Sequence, residues 1–171
     1  LLRGEPRSRT LAARGPAQLL GLSEEVFMPL ARKLGLIEAG TRADWLWQHP
    51  AFAHLGWSVL LDLALDFQPR YVSPGESVYE AGDMAAEAYL LVSGAIAVYN
   101  RAGQLLEVMT RPGQFFGTRA TLLARPHRTT KISNQSGELW ALSPAALQRF
   151  QLVYPNLLLH MHMVETTHPA P

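Results

Sequence analysis

Two neighbouring stretches carry the residue types that could do chemistry: Gly113-Gln114-Phe115-Phe116-Gly117-Thr118-Arg119-Ala120-Thr121-Leu122-Leu123 and, just after them, Pro126-His127-Arg128-Thr129-Thr130. They read as a strand, a glycine turn, one short helical turn, and an arginine entering the next strand. That order can hold one phosphate group. Gly117 lets the backbone approach a ligand closely, and the N–H groups that open a helical turn have no partner within it. Arg128, returning from the far side, can close a charge-assisted pair on the same anion. Gly117 and Arg128 are therefore candidate anion-binding residues, and Thr118, Arg119, Ala120, Thr129 and Thr130 beside them complete the candidate ligand-binding set.

Other chemistries find little support. His160 and His162 are two apart on a predicted helix and so point to different faces, whereas a helical metal pair needs a spacing of three or four. His49, His54, His127 and His168 do not cluster with carboxylates along the chain. No serine sits in a nucleophile elbow, and no lysine follows a phosphate-binding glycine loop. Asp62, Asp66 and Asp83 read as solvated carboxylates. No catalytic residue, metal or cofactor is expected, and no enzyme.

The elements that must position the cassette are short strands separated by glycine turns. Ser73-Pro74-Gly75-Glu76 suits a type II turn, with glycine supplying the positive φ at its third position. Ser77–Tyr79 is a strand, and Glu80-Ala81-Gly82-Asp83 the next turn. Ala88–Val92 runs until Ser93-Gly94 stops it, and Ala95–Tyr99 resumes the alternation. Asn100-Arg101-Ala102-Gly103 turns the chain into 104–109; 129–133 and 138–142 form the last two runs. Strands at this spacing predict an all-β sandwich or barrel.

Helices flank it. Ser23 precedes an apolar face of Val26, Phe27, Leu30 and Leu34, with Pro29 awkward in its middle. Gly35 and Gly40 should close that segment, and Thr41 to Asp44 has the spacing of a capping box before Trp45. Trp57, Leu60, Ala64 and Phe67 share a face that should pack on the barrel. Ser143 and Pro144 start another helix, and Pro155 starts a last one through Glu165, apolar on most sides. The 171 residues are 48% hydrophobic, with a net charge of +1 and no cysteine. Neither a nucleic-acid partner nor an anionic membrane surface is suggested by that charge. The absence of cysteine fits a reducing compartment. Leu1 stands where a methionine would open a whole chain, so a piece of a longer protein is expected, whose other parts can include a membrane-embedded one.

The order P-G-E (Pro74–Glu76), E-x-G-D (Glu80–Asp83), Y-L-L-V-S-G (Tyr89–Gly94) and R-P-G-Q-F-F-G (Arg111–Gly117) resembles the signature of the cyclic nucleotide-binding domain family. The resemblance covers roughly residues 55 to 165. It implies an α+β, mainly β, fold: an eight-stranded antiparallel, jelly-roll-like β-roll with N-terminal helices and two C-terminal helices. The divisions expected are a basic flexible linker over 1–22, a helical segment over 23–66, the β-roll over 67–143 and the C-terminal helices over 144–166. In the family the cassette amides and an arginine hold the cyclic phosphate, and a glutamate after the glycine bonds the ribose 2′-hydroxyl. Here that glutamate is Thr118, which also suits an N-cap of the cassette helix. The family arginine falls either at His127, directly after proline, or at Arg128; Arg128 gives the better match, because Arg-Thr-Thr follows the family's arginine–threonine ending. Threonine after that arginine is associated in the family with cyclic GMP. The resemblance implies a cytosolic regulatory module that binds cyclic AMP or cyclic GMP for a larger host, an ion channel or transporter, and that can form homo-oligomers. The competing reading is a ligand-free domain of the same fold, used for interdomain contact or oligomerisation.

Overall fold

The computed structural model describes residues 10, 12–50, 52 and 54–154. The helix expected from Pro155 to Glu165, with His160 and His162, lies outside them, as do residues 1–9 and 11 of the basic leader. The chain divides into two compact units, Leu1–Leu65 and Asp66–Pro171.

In the first unit, helix α1 spans Glu24–Lys33, and its expected cap, Ser23, has extended backbone but makes no side-chain capping bond. Pro29 is accommodated inside α1. Helix α2 spans Leu36–Gln48 and corrects the expected boundary at Gly40. The break falls instead at Gly35, the N-cap of α2, whose left-handed φ of 66° separates the two helices. Thr41 is no cap either: its hydroxyl donates to the Ile37 carbonyl, and Asp44 accepts from the Trp57 indole at 2.9 Å. Buried Ala39, Gly40, Ala43 and Leu46 form one stripe along α2, and burying that stripe outweighs the poor helix propensity of glycine. Helix α3, Trp57–Asp66, buries Leu60, Leu63 and Ala64.

The second unit holds one antiparallel sheet of β1 (Gln68–Val72), β2 (Ser77–Tyr79), β3 (Ala88–Tyr99), β4 (Leu105–Met109), β5 (Phe115–Phe116) and β6 (Thr130–Leu142). The strand order is β1-β6-β3-β4, with β2 also on β6 and β5 also on β3. Six strands form where eight were expected: the runs 88–92 and 95–99 fuse into β3, those at 129–133 and 138–142 fuse into β6, and β1 is a strand that no expected run covered. Ser93-Gly94 does not stop a strand. β3 runs through it with register shifts on both sides, and β6 runs through Gly137 opposite. The bend is possible because Gly94 takes a φ of +91° and the two backbones nearly touch. A Cβ on Gly94 would lie 2.8 Å from the Gly137 Cα, and one on Gly137 would lie 2.2 Å from the Ser93 carbonyl oxygen.

The expected glycine turns at Gly75, Gly82 and Gly103 form, the last with Gly103 N–H donating to the Asn100 carbonyl at 3.0 Å. Gly75 has a φ of +82° and Glu76 N–H donates back to Ser73 at 3.0 Å, while the Glu76 carboxylate accepts from Ser73 N–H and from Arg70. Gly82 has a φ of +108°, and Asp83 N–H donates to the Glu80 carbonyl. The core inside the roll is built by alternation: Val78, Tyr89, Leu91, Ile96, Val98, Met109, Phe116 and Leu139 are all buried in one cluster. On the other face of β3 and β6, Phe67 rings meet Phe115 and Trp140. Helix α4 (Thr118–Leu122) follows β5 directly, and α5 (Pro144–Val153) follows β6. Ser143 caps α5 as expected, accepting from Ala146 N–H at 3.2 Å with Pro144 in the first turn.

Candidate functional site

The site grows from the break between β5 and α4. Phe115 and Phe116 bury both faces of a two-residue strand, and Gly117 then takes a φ of +78°, which an L side chain rarely adopts. A Cβ there would also press at 3.4 Å on the Glu87 carbonyl and on the His127 ring. Gly117, not Thr118, is thus the N-cap of α4. Its carbonyl accepts from Thr121 twice, from the N–H at 3.0 Å and from the hydroxyl at 2.9 Å. Past α4 the chain turns through Ala124, at a φ of +47°, and comes back along the Glu80–Asp83 turn. There His127 N–H donates to the Asp83 carbonyl and Gly82 N–H donates to the His127 carbonyl, both at 2.9 Å. The returning loop is therefore fixed on both sides.

Between the cassette turn, this loop and the inner face of the sheet lies a cavity of about 390 Å³, within the range of small-molecule sites. Its wall includes Gly117, Arg119, Ala120, Arg128 and Thr129. Five of the seven candidate residues are thereby brought together. The other two are not. Thr118 is 0% exposed, and its hydroxyl oxygen is buried without a hydrogen-bond partner rather than turned to the cavity. Thr130 already belongs to the β6 ladder opposite Tyr99, and its hydroxyl accepts from Ala81 N–H at 3.0 Å.

Several wall residues escaped the sequence reading. Arg101, Arg111 and Arg125 join Arg119 and Arg128, making five arginines against one carboxylate, Glu107. Lys131 adds a buried cation at 7% exposure, with its ammonium 3.5 Å from the Met109 sulfur and 5.6 Å from the Phe116 ring centre. The field in the cavity is therefore positive and suits an anion. Tyr79 and His127 line the cavity as a stacked pair, their centroids 3.5 Å apart and their planes within 7°. Burial holds the His127 imidazole below its ordinary pKa; the Asp83 carboxylate opposes that shift and the Lys131 charge reinforces it. One signal for these residues was present. In β6 the polar Lys131 and Ser133 are the buried positions and Ile132 is not, an inverted alternation that marks a strand facing a cavity rather than a core.

Comparison with known proteins agrees with this geometry. Residues 69–152 match the model of the cyclic nucleotide-binding domain. The chain is 30% identical over 111 residues to the alpha subunit of the rod photoreceptor cyclic nucleotide-gated channel of Gallus gallus, covering 61% of this chain and 17% of that protein. It is 30% identical over 105 residues to the cyclic nucleotide-gated channel alpha-4 of Mus musculus, covering 58% of this chain and 18% of that one. The chain thus spans under a fifth of the curated relatives it matches. Among solved structures, the catabolite activator protein of Thermus thermophilus superposes with a TM-score of 0.58 at 26% identity, over 67% of this chain and 55% of that chain. A cAMP-binding acyltransferase from Mycobacterium smegmatis gives 0.61 at 23% identity, over 74% of this chain and 40% of that chain. The β-roll carried by residues 69–152 belongs to the cyclic nucleotide-binding domain family.

Proposed function

We propose that this domain binds a cyclic nucleotide, cyclic AMP or cyclic GMP, and passes the binding event to a larger host protein, an ion channel being the best-supported kind. The observation that carries the reading is the cavity itself, where Gly117, Ala120, Arg128 and Thr129 face one space under a surplus of arginine. On this reading Arg128 holds the phosphate, the cassette backbone at Gly117 and Ala120 comes against it, and Thr129, on the same wall, contacts the ring system. The channel host rests on the two channel relatives, and the cytosolic placement rests on the same likeness. Among the described residues, no helix is long and apolar enough to cross a membrane.

A second reading has its own observation. The position that carries the ribose-binding glutamate in the family is Thr118, which is turned into the core. A domain without that carboxylate can keep the fold for interdomain contact or self-association alone. Calorimetric titration of the chain with both nucleotides separates the two readings. Under the proposal Arg128→Ala weakens binding about 10- to 100-fold, the loss of one hydrogen bond to a charged group of roughly 1.5–3 kcal/mol. Arg128 is exposed and has no ion-pair partner among the described residues, so ligand-free stability should change by less than about 0.5 kcal/mol. No heat from the unaltered chain with millimolar amounts of either nucleotide refutes the proposal.

A further inference from the structure

His127 has no role in the binding scheme above, yet its surroundings fit one. The residue is 4% exposed, lines the cavity, and is held in place by backbone bonds to Gly82 and Asp83. Stacking on Tyr79 fixes the plane of its ring. Its Cε1, the carbon between the two ring nitrogens, is the side-chain atom nearest to where a Gly117 side chain would begin, at 3.4 Å. The nitrogen-bearing edge of the ring is thus directed at the cassette turn. Neither nitrogen has a hydrogen-bond partner among the described residues. Among the described side chains only Thr118 Oγ1 is both wholly buried and unpartnered, so the His127 nitrogens keep access to the cavity that the residue lines.

We propose that His127 is a protonatable ligand of the cyclic phosphate: as imidazolium it donates to a phosphate oxygen lying beside Gly117, so that nucleotide binding takes up a proton. The inference rests on the nucleotide reading and adds a residue and a linkage to it. In the empty cavity the charged groups around the ring mostly oppose protonation. Lys131 on β6, Arg119 on α4 and Arg128 next in the chain are cations, while Asp83 on the β2–β3 turn and Glu107 on β4 are the carboxylates. Tyr79 on β2 supplies a neutral face. Burial acts with the cations to keep the empty form neutral. An arriving phosphate reverses the balance by setting a negative charge against the ring edge. A cyclic phosphodiester is a monoanion throughout the neutral range, so the proton comes from solvent and goes to the imidazole. The sign follows: the bound-state pKa lies above the free-state one, and affinity rises as pH falls between them.

The experiment is calorimetric titration of the whole chain with cyclic AMP and with cyclic GMP, in buffers of different ionisation enthalpy, which counts protons. Affinity should rise about 10-fold from about pH 8 to about pH 6.5, with a net uptake approaching one proton near neutrality. His127→Gln keeps a neutral donor and His127→Phe keeps the stack on Tyr79; in both, the uptake and the pH dependence should disappear while binding at about pH 8 persists. Binding without proton uptake by the unaltered chain overturns this inference and leaves the nucleotide reading standing. Uptake that persists in either variant also overturns it. No binding by the unaltered chain at any pH refutes both.

Discussion

Replacing Thr118 by valine should make the protein more stable, although threonine is the residue the cassette position carries. The Thr118 hydroxyl oxygen is wholly buried and has no partner, so folding strips it of water and gives nothing back. Such a group costs roughly 1–3 kcal/mol. Valine has nearly the same shape and puts a methyl group there instead, worth about 0.8 kcal/mol of apolar burial. Helix propensity hardly changes between threonine and valine. The net gain should be about 1–2 kcal/mol, which for a chain of this length raises the melting midpoint by about 2–4 °C per kcal/mol. Thr121, three residues along the same short helix, provides the control. It is equally buried, but its hydroxyl donates to the Gly117 carbonyl at 2.9 Å. That carbonyl keeps its bond from Thr121 N–H, so Thr121→Val should cost only about 0.5–1 kcal/mol. The assay is urea unfolding of both variants, read as a shift in midpoint at unchanged slope. Opposite signs are required. A Thr118→Val protein that loses more than about 0.5 kcal/mol would show that the hydroxyl has a partner in solution, and the reasoning would fail.

Gly137→Ala should be among the most damaging single changes, because the new Cβ would lie 2.2 Å from the Ser93 carbonyl oxygen and neither backbone can move without unpairing β3 from β6. A loss above about 3 kcal/mol is expected in urea unfolding, and a loss under about 1 kcal/mol would mean that the crossing is looser than described. Glu76 has its carboxyl pKa lowered from 4.5, first by the Ser73 N–H and then by Arg70. Its contribution to stability is therefore complete above that value and fades as pH falls through the lower, folded-state one. The difference in thermal midpoint between the unaltered chain and Glu76→Gln should accordingly shrink on acidification, and a difference that grows would contradict it.

Local chemistry made the turns legible. Gly75, Gly82, Gly103 and Gly117 all take positive φ, and each shares its turn with a proline, aspartate, asparagine or aromatic residue. Ser143 and Pro144 marked the start of α5 for the same reason. What stayed hidden depends on partners distant in sequence. Gly94 reads as a strand end until Gly137 is known to lie against it, and Gly40 reads as a helix end until the stripe of Ala39, Ala43 and Leu46 is seen to be buried. The cassette was legible as a motif, but not the cavity around it. Arg101, Glu107 and Lys131 reach the cavity from the turn before β4, from β4 and from β6 respectively, and only the pairing of both strands with β3 brings them near Gly117. Thr118 was misplaced because one glycine in the left-handed conformation rotates the helix that follows, and sequence does not reveal which face then turns inward.

The fusion of two runs into β6 has a mechanical consequence. Arg128 and Thr129 lead straight into Thr130, the first residue of that strand, and Leu142 at its far end leads straight into the Ser143 cap of α5. No loop intervenes, so the cavity rim and the C-terminal helix are the two ends of one stiff rod. The rod is laced to β1, β2 and β3 along its length, and its pairing with β3 is irregular around the crossing of Gly137 and Gly94. A second link closes the circuit, since α4, which begins at the cassette glycine, also contacts α5. The rim and α5 are thus clamped at two points, one covalent and one packed. A ligand held by Arg128 would therefore have two routes to α5, one along β6 and one through α4.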